Sequence, residues 1–280
     1  MVDGVAFSKG FNDGLTRRNS MPLLNLRFFP AKKMFWDMRA ADLETQVLMP
    51  IQDLVEMGIP NLAELVAKLK TKAYYPELFN KAFGSADITE EKISKALSQF
   101  LRSMVALNSK YDQGFDNGHA NLSVAEKAGL QKVIQLSCTE CHSDFETHIA
   151  KNPIFLPFEN SGENIFGFGT NNGLDLVYTD NGIGEKTNKP GDMATFKMPS
   201  LRNVELTAPY MHDGRFATLE QVLTHYQTGV KNHPNRGIQI PNNGYRAAIS
   251  DQDKANIIAF LKTLTDGNIV TDPKFSNPFK

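Results

Sequence analysis

Both cysteines of the chain fall in one five-residue unit, Cys138-Thr139-Glu140-Cys141-His142. CxxCH is the attachment signature of c-type haem. Two thiols at this spacing span the two vinyl groups of one porphyrin, and the imidazole that follows falls under the metal. Other chemistries suit the unit less well. A structural zinc takes four ligands, usually with a second Cys/His pair at short spacing; His148 is at hand, but no second pair follows. A thioredoxin-like CxxC belongs in a βαβ context, and the context here is helical. Gly167-Phe168-Gly169 is a lone GxG with no third glycine at Asn172 and no strand–helix setting, so a dinucleotide site has little support.

The element that presents this unit is a helix. Ser123 with Glu126 forms a capping-box pattern leading into Ala128, Leu130, Val133 and Ile134, and the cysteines follow directly. Thr218 with Gln221 and Ser250 with Asp253 open two more helices, the latter carrying Ile257, Phe260, Leu261 and Leu264 on one face with Gly267 beyond its end. Asp87 with Glu90 reads as a further start, before Ile93, Leu97, Phe100, Leu101 and Met104. Shorter helices are predicted over 42–48, stopped before Pro50, and over 61–70. Residues 151–200 are rich in Gly, Asn, Asp and Pro and read as long ordered loop. The breaks between Asn108 and Asn121 mark the best boundary between two halves.

The bulk composition excludes several classes. With 30 Lys+Arg against 31 Asp+Glu the net charge is −1, unlike a nucleic-acid binder or a polybasic membrane-surface protein. Hydrophobic residues at 41% and charged residues at 22% fit a globular chain. No apolar run approaches the roughly 18 residues of a transmembrane helix, and two cysteines exclude a disulfide-built scaffold. Met1 to Gly10 lacks the basic-then-apolar order of a secretory signal.

Several motifs then occur in order: Arg18-Asn19-Ser20-Met21-Pro22, Phe35-Trp36-Asp37-Met38-Arg39-Ala40, Gln46, Val55-Glu56-Met57-Gly58, Phe196-Lys197-Met198-Pro199-Ser200-Leu201-Arg202-Asn203-Val204, and Thr207-Ala208-Pro209-Tyr210-Met211-His212-Asp213-Gly214-Arg215-Phe216. From about residue 3 to about residue 265 the chain resembles the bacterial di-haem cytochrome c peroxidase superfamily, which includes the MauG-type enzymes. The resemblance implies a mainly α fold of two cytochrome c-like domains with long ordered loops. Residues 1–115 would be the remainder of an incomplete N-terminal, peroxidatic domain. Residues 116–280 would be the C-terminal domain with the CxxCH site. The family's first CxxCH lies before the segment matching Asp3 to Phe7, so the chain is expected to be N-terminally truncated, its signal peptide lost with that piece and the protein periplasmic.

The resemblance also implies residue roles. Cys138, Cys141 and His142 match the C-terminal haem c site. The second axial ligand comes from the region after His212-Asp213-Gly214, Met in typical peroxidases and Tyr in MauG-like members. The matching position is Tyr226, with Met211 the competing ligand and His225 a remote third; the alternative is a core tyrosine with its hydroxyl hydrogen-bonded. Gln46 and Glu56 match the distal residues: Glu56 takes a proton from one peroxide oxygen and returns it to the other, and Gln46 orients the peroxide. Trp36, the only tryptophan, would help electrons pass between haems, or fill a core, or both. A calcium ion would take the Asn19 side chain and the carbonyls of Thr207 and Pro209. Arg202 and His212 would lie close to the C-terminal haem, pairing with its propionates. Met38 replaces the Gly usual after Trp-Asp, and Leu54 the Pro usual before Val-Glu-Met.

The implied activity is reduction of hydrogen peroxide to water with electrons from a small donor cytochrome. The runner-up is a MauG-like oxidase acting on a protein substrate, which Tyr226 favours. A mono-haem electron-transfer module follows if the chain is complete as written. Neither nucleic acid nor a transmembrane segment is expected, and a homodimer is compatible with the family.

Overall fold

The computed structural model describes residues 2–29, 33–142, 169–246 and 248–277. In chain order the helices are α1 Leu43–Gln46, α2 Met49–Gln52, α3 Leu62–Lys70, α4 Tyr74–Phe83, α5 Glu90–Ser103, α6 Lys110–Gln113, α7 Val124–Gln135, α8 Cys138–His142, α9 Gly184–Thr187, α10 Leu219–Thr224, α11 Asp251–Lys262 and α12 Asn268–Thr271. The described sheet is one antiparallel pair, β1 Gly169–Thr170 with β2 Phe196–Lys197, in register Gly169 to Lys197 and Thr170 to Phe196. The fold is mainly α, as predicted.

Local chemistry accounts for most helix starts. Ser123, Thr218 and Ser250 each accept from the third backbone N–H of their helix, and Glu126, Gln221 and Asp253 reach back to the cap, giving the three expected capping boxes. The start predicted at Asp87 falls two residues later. Thr89 is the cap of α5: its extended backbone lets its side chain turn onto the first turn and accept from the Lys92 N–H. The helix predicted over 42–48 is two short ones. Pro50 does not end a helix; it lies in the first turn of α2, where its missing N–H costs nothing. Helix α4 has no side-chain cap to announce it, and the sequence pattern does not predict it. Residues 169–200 hold α9, β1 and β2 within otherwise irregular chain; 151–168 and His148 lie outside the described residues.

In the second half α7 lies along α11. Gly129 permits the approach: a Cβ there would stand 2.0 Å from the Asn256 carbonyl oxygen. Phe260 and Leu264 are fully buried in this core with Val133, Leu136, Leu219 and Leu223. At about 1.5–3 kcal/mol per buried large apolar side chain, this cluster is what fixes α8 in place. Tyr111 of α6, within the predicted boundary segment, packs into it too. The first half has smaller cores, one of Phe29, Met34, Ala40, Leu43 and Val47 and one of Phe79, Ile88 and Ile93.

Two loops are pinched closed by single backbone bridges. Met34 bridges Ala40 around the loop carrying Trp36, and Tyr210 bridges Phe216 around the loop carrying Met211 and His212. Met38 has φ 53°, the left-handed region that favours glycine, which accounts for the glycine usual at that place. Leu54 is 75% exposed and packs into no core.

Candidate functional site

Helix α8 places Cys138, Cys141 and His142 on the wall of a predominantly apolar cavity under α7, α10 and α11. Neither cysteine is in a disulfide. Burial, with Cys141 close by, pushes the Cys138 thiol up to about 12, so it is held neutral. Burial also lowers the His142 pKa and favours the neutral imidazole. Its Nδ1 lies 2.7 Å from the Pro199 carbonyl oxygen. A carbonyl only accepts, so Nδ1 carries the proton and the Nε2 lone pair is free for a metal. Among the described residues no three His, Cys, Asp or Glu side chains converge as a metal-ion cage. A neutral, oriented imidazole beside two thiols on an apolar wall fits a covalently held haem better than zinc.

Both candidate axial ligands line the same cavity. Tyr226 stands on a π-helical turn, His225–Gly229, that follows α10 directly. Such turns recur at functional sites. Burial raises the Tyr226 pKa, so a phenolate here requires a cation opposite it. Met211 also lines the cavity, and its sulfur accepts from the Asn172 side chain at 3.3 Å. His225 points elsewhere, its Nε2 3.0 Å from the Asn172 carbonyl oxygen, and does not line the cavity.

Arg202 differs from its expected place. It is 3% exposed, does not line the cavity, and donates to the Asp112 carboxylate at 2.8 Å. A guanidinium buried in the core joint between α6 and the 201–206 segment is a structural tie to Asp112. His212 does line the cavity, stacked on Phe196 with centroids 3.8 Å apart.

A second cavity, about 760 Å³, is lined by Gln46, Glu56 and Trp36. Its size falls within the roughly 300–1,000 Å³ of cofactor pockets. Trp36 lines both cavities and forms part of the wall between them. Its indole N–H donates to the Asn19 carbonyl at 2.9 Å, and its own carbonyl accepts from the Lys197 N–H at 2.7 Å. The next residue, Asp37, is tied by Arg18, which also donates to Asp180 at 2.7 Å. The Glu56 carboxyl is held above its ordinary value by burial, then by the like charge of Asp53, with Arg39 opposing.

Asn19 is buried, and its Nδ2 donates to the Pro209 carbonyl at 2.6 Å and the Met211 carbonyl at 3.2 Å. Its Oδ1 has no partner. The nitrogen side of the amide faces these carbonyls; with the amide turned over, its oxygen would join them as a donor set suited to a hard cation such as calcium. Thr207 and Pro209 both line the first cavity.

Sequence reasoning passed over Asn172, Pro199 and Lys197. Pro199 acts through its carbonyl, which no side chain announces. Lys197 did carry a signal, a charged residue inside the apolar run Phe196-Lys197-Met198.

The model of the family "Di-haem cytochrome c peroxidase" matches residues 1–120. The chain is 32% identical over 235 residues to the cytochrome c551 peroxidase of Nitrosomonas europaea, covering 82% of this chain and 61% of that protein's length. It is 30% identical over 272 residues to the methylamine utilization protein MauG of Methylorubrum extorquens, covering 92% of this chain and 70% of the relative. Among solved structures it superposes on a MauG-like protein associated with microbial copper homeostasis with TM-score 0.82 at 31% identity, covering 99% of this chain and 84% of that one. The fold, the paired cavities and these likenesses agree: the chain belongs to the di-haem cytochrome c peroxidase family, to which the MauG proteins are also related.

Proposed function

We propose that this chain forms part of a periplasmic di-haem cytochrome c peroxidase that reduces hydrogen peroxide to water with electrons from a donor cytochrome. The observation that carries the reading is the shared wall: Trp36 lines both the cavity bearing Cys138, Cys141 and His142 and the cavity bearing Gln46 and Glu56. Haem supplies one-electron redox chemistry when bound.

The chain's own residues do the rest. Cys138 and Cys141 would hold the porphyrin as thioethers, and His142, oriented by Pro199, would offer Nε2 to the iron. Trp36 offers an aromatic ring on the line between the sites. Gln46 orients the peroxide by hydrogen bonding. Glu56, ionised, takes a proton from one peroxide oxygen and gives it to the other, so that with two electrons and two protons H₂O₂ leaves as two waters. Asn19, Thr207 and Pro209 would hold a calcium ion beside Trp36.

A second reading is a MauG-like oxidase that withdraws electrons from a protein substrate. Tyr226 on the cavity wall favours it, since an anionic oxygen ligand lowers an iron's potential relative to a thioether. Among the described residues no helix is long and apolar enough to cross a membrane.

The test is a pyridine-haemochrome count per chain together with peroxide consumption against a reduced donor cytochrome. Turnover that follows donor oxidation supports the peroxidase. One haem per chain with no turnover leaves a mono-haem electron-transfer module.

A further inference from the structure

Lys197 on β2 is 7% exposed, and its ammonium lies 3.9 Å from the centre of the Phe29 ring. Lys197 lines both cavities, but Phe29, under its ammonium, lines only the second, so the charged end of the side chain is directed to the second cavity's wall. Its position is fixed by the backbone bond to Trp36 and by pairing with β1.

Five cationic side chains line the second cavity, and four have carboxylates in reach. Lys9 meets Asp13, Arg17 meets Glu185, Arg18 meets Asp37 and Asp180, and Arg39 meets Asp37. Among the described residues no carboxylate pairs with Lys197. An ammonium taken out of water without a counter-charge is expensive, and a ring face offsets only part of that cost. The pattern is that of a charge placed for an anion supplied by something else.

We propose that Lys197 anchors a carboxylate of the group that fills the second cavity, specifically a propionate of a porphyrin. The proposal rests on the haem reading above. It goes further by naming the residue that orients the porphyrin and the acidic edge it must present. With Lys197 tied to the Trp36 carbonyl, that edge would be turned toward the wall shared by the two sites.

The experiment uses the chain carrying its covalent haem and titrates two probes by difference absorbance in the Soret band: iron protoporphyrin IX and its dimethyl ester, whose propionates are uncharged. The wild type is expected to bind the free acid roughly ten- to a hundredfold tighter than the ester, the range of a charge-assisted contact. Lys197→Met is expected to lose that preference by weakening the acid alone, and Lys197→Arg to retain most of it. Lys197→Gln, with its helical content checked by circular dichroism, stands in if the Met variant does not fold. Equal preference in wild type and charge-free variants overturns the assignment of Lys197 while leaving the cavity a porphyrin site. Failure of the wild type to bind either probe overturns the porphyrin reading of the cavity, and the lysine assignment with it.

Discussion

The indole N–H of Trp36 hangs from the backbone carbonyl of Asn19 at 2.9 Å, while the Asn19 side chain reaches the Pro209 carbonyl at 2.6 Å. One residue thus joins the only tryptophan to the loop that carries Met211. Whatever binds at the Asn19 amide is mechanically continuous with the wall between the two cavities.

Calcium should therefore be visible through Trp36. Binding requires the Asn19 amide to turn its unpartnered Oδ1 toward the Thr207 and Pro209 carbonyls. Calcium at a hundred times its Kd should stabilise the fold by about 2.7 kcal/mol. Magnesium, which demands tighter octahedral geometry, should do less. Thermal melts and the near-ultraviolet circular dichroism of Trp36, with chelator reversal, check this. An unchanged Tm and spectrum would remove the site.

Trp36→Phe keeps the packing and loses the bond to Asn19. Redox equilibration between the haem sites should slow while the melting curve stays within a few degrees, since the ring still fills the wall. Unchanged equilibration in stopped-flow spectra would leave Trp36 only a packing role.

The Glu56 carboxyl is held above the usual carboxylate range because it is half-buried, with the like charge of Asp53 adding to the shift. A raised acid pKa means that the native state binds more protons than the unfolded one between the two values, so Glu56 makes the fold less stable as pH rises through that window. Glu56→Gln should then be as stable as the wild type or more so at neutral pH. As a proton shuttle Glu56 must be ionised, so turnover should rise with pH through its raised pKa, and Glu56→Gln should lose about 10²–10⁴-fold in rate. A variant with wild-type rate and pH profile would exclude Glu56 from the chemistry.

Tyr226 and Met211 face the same cavity and can be separated. If the tyrosine is the ligand, Met211→Ala keeps the low-spin absorption spectrum, whereas Tyr226→Phe changes it and Tyr226→Met raises the potential. The opposite assignment of the two spectra would make Met211 the ligand.

Arg202 and Asp112 form a buried ion pair. Arg202→Met leaves the Asp112 carboxylate without its cation and should cost about 3–5 kcal/mol. The loss is expected in denaturant unfolding, with the haem spectrum of the folded fraction unchanged. An altered spectrum would place Arg202 nearer the chemistry than the structure does.

What the sequence disclosed depends on the range of the interactions involved. The capping boxes at Ser123, Thr218 and Ser250 are decided within four residues, and all three form. The start near Asp87 fell short because the side chain that caps α5 is that of Thr89, two residues on, which accepts from the Lys92 N–H. The ion pair of Arg202 with Asp112 was not foreseen because that partner is 90 positions away and marked by nothing local. CxxCH gave the attachment unit, but the orientation of His142 depends on a carbonyl 57 residues on. The shared position of Trp36 is a property of two cavities, which only the folded chain possesses.

The π-helical turn at His225–Gly229 has a bearing on how such a site diversifies. A π turn is an α-helix with one residue too many. Deleting one residue there would restore 3.6-residue winding and rotate the side chains beyond it by about 100°. The group offered to the cavity could then change by an alteration in chain length as readily as by a codon for a different ligand. Across relatives, gaps in this segment should be read together with the Tyr or Met that occupies it.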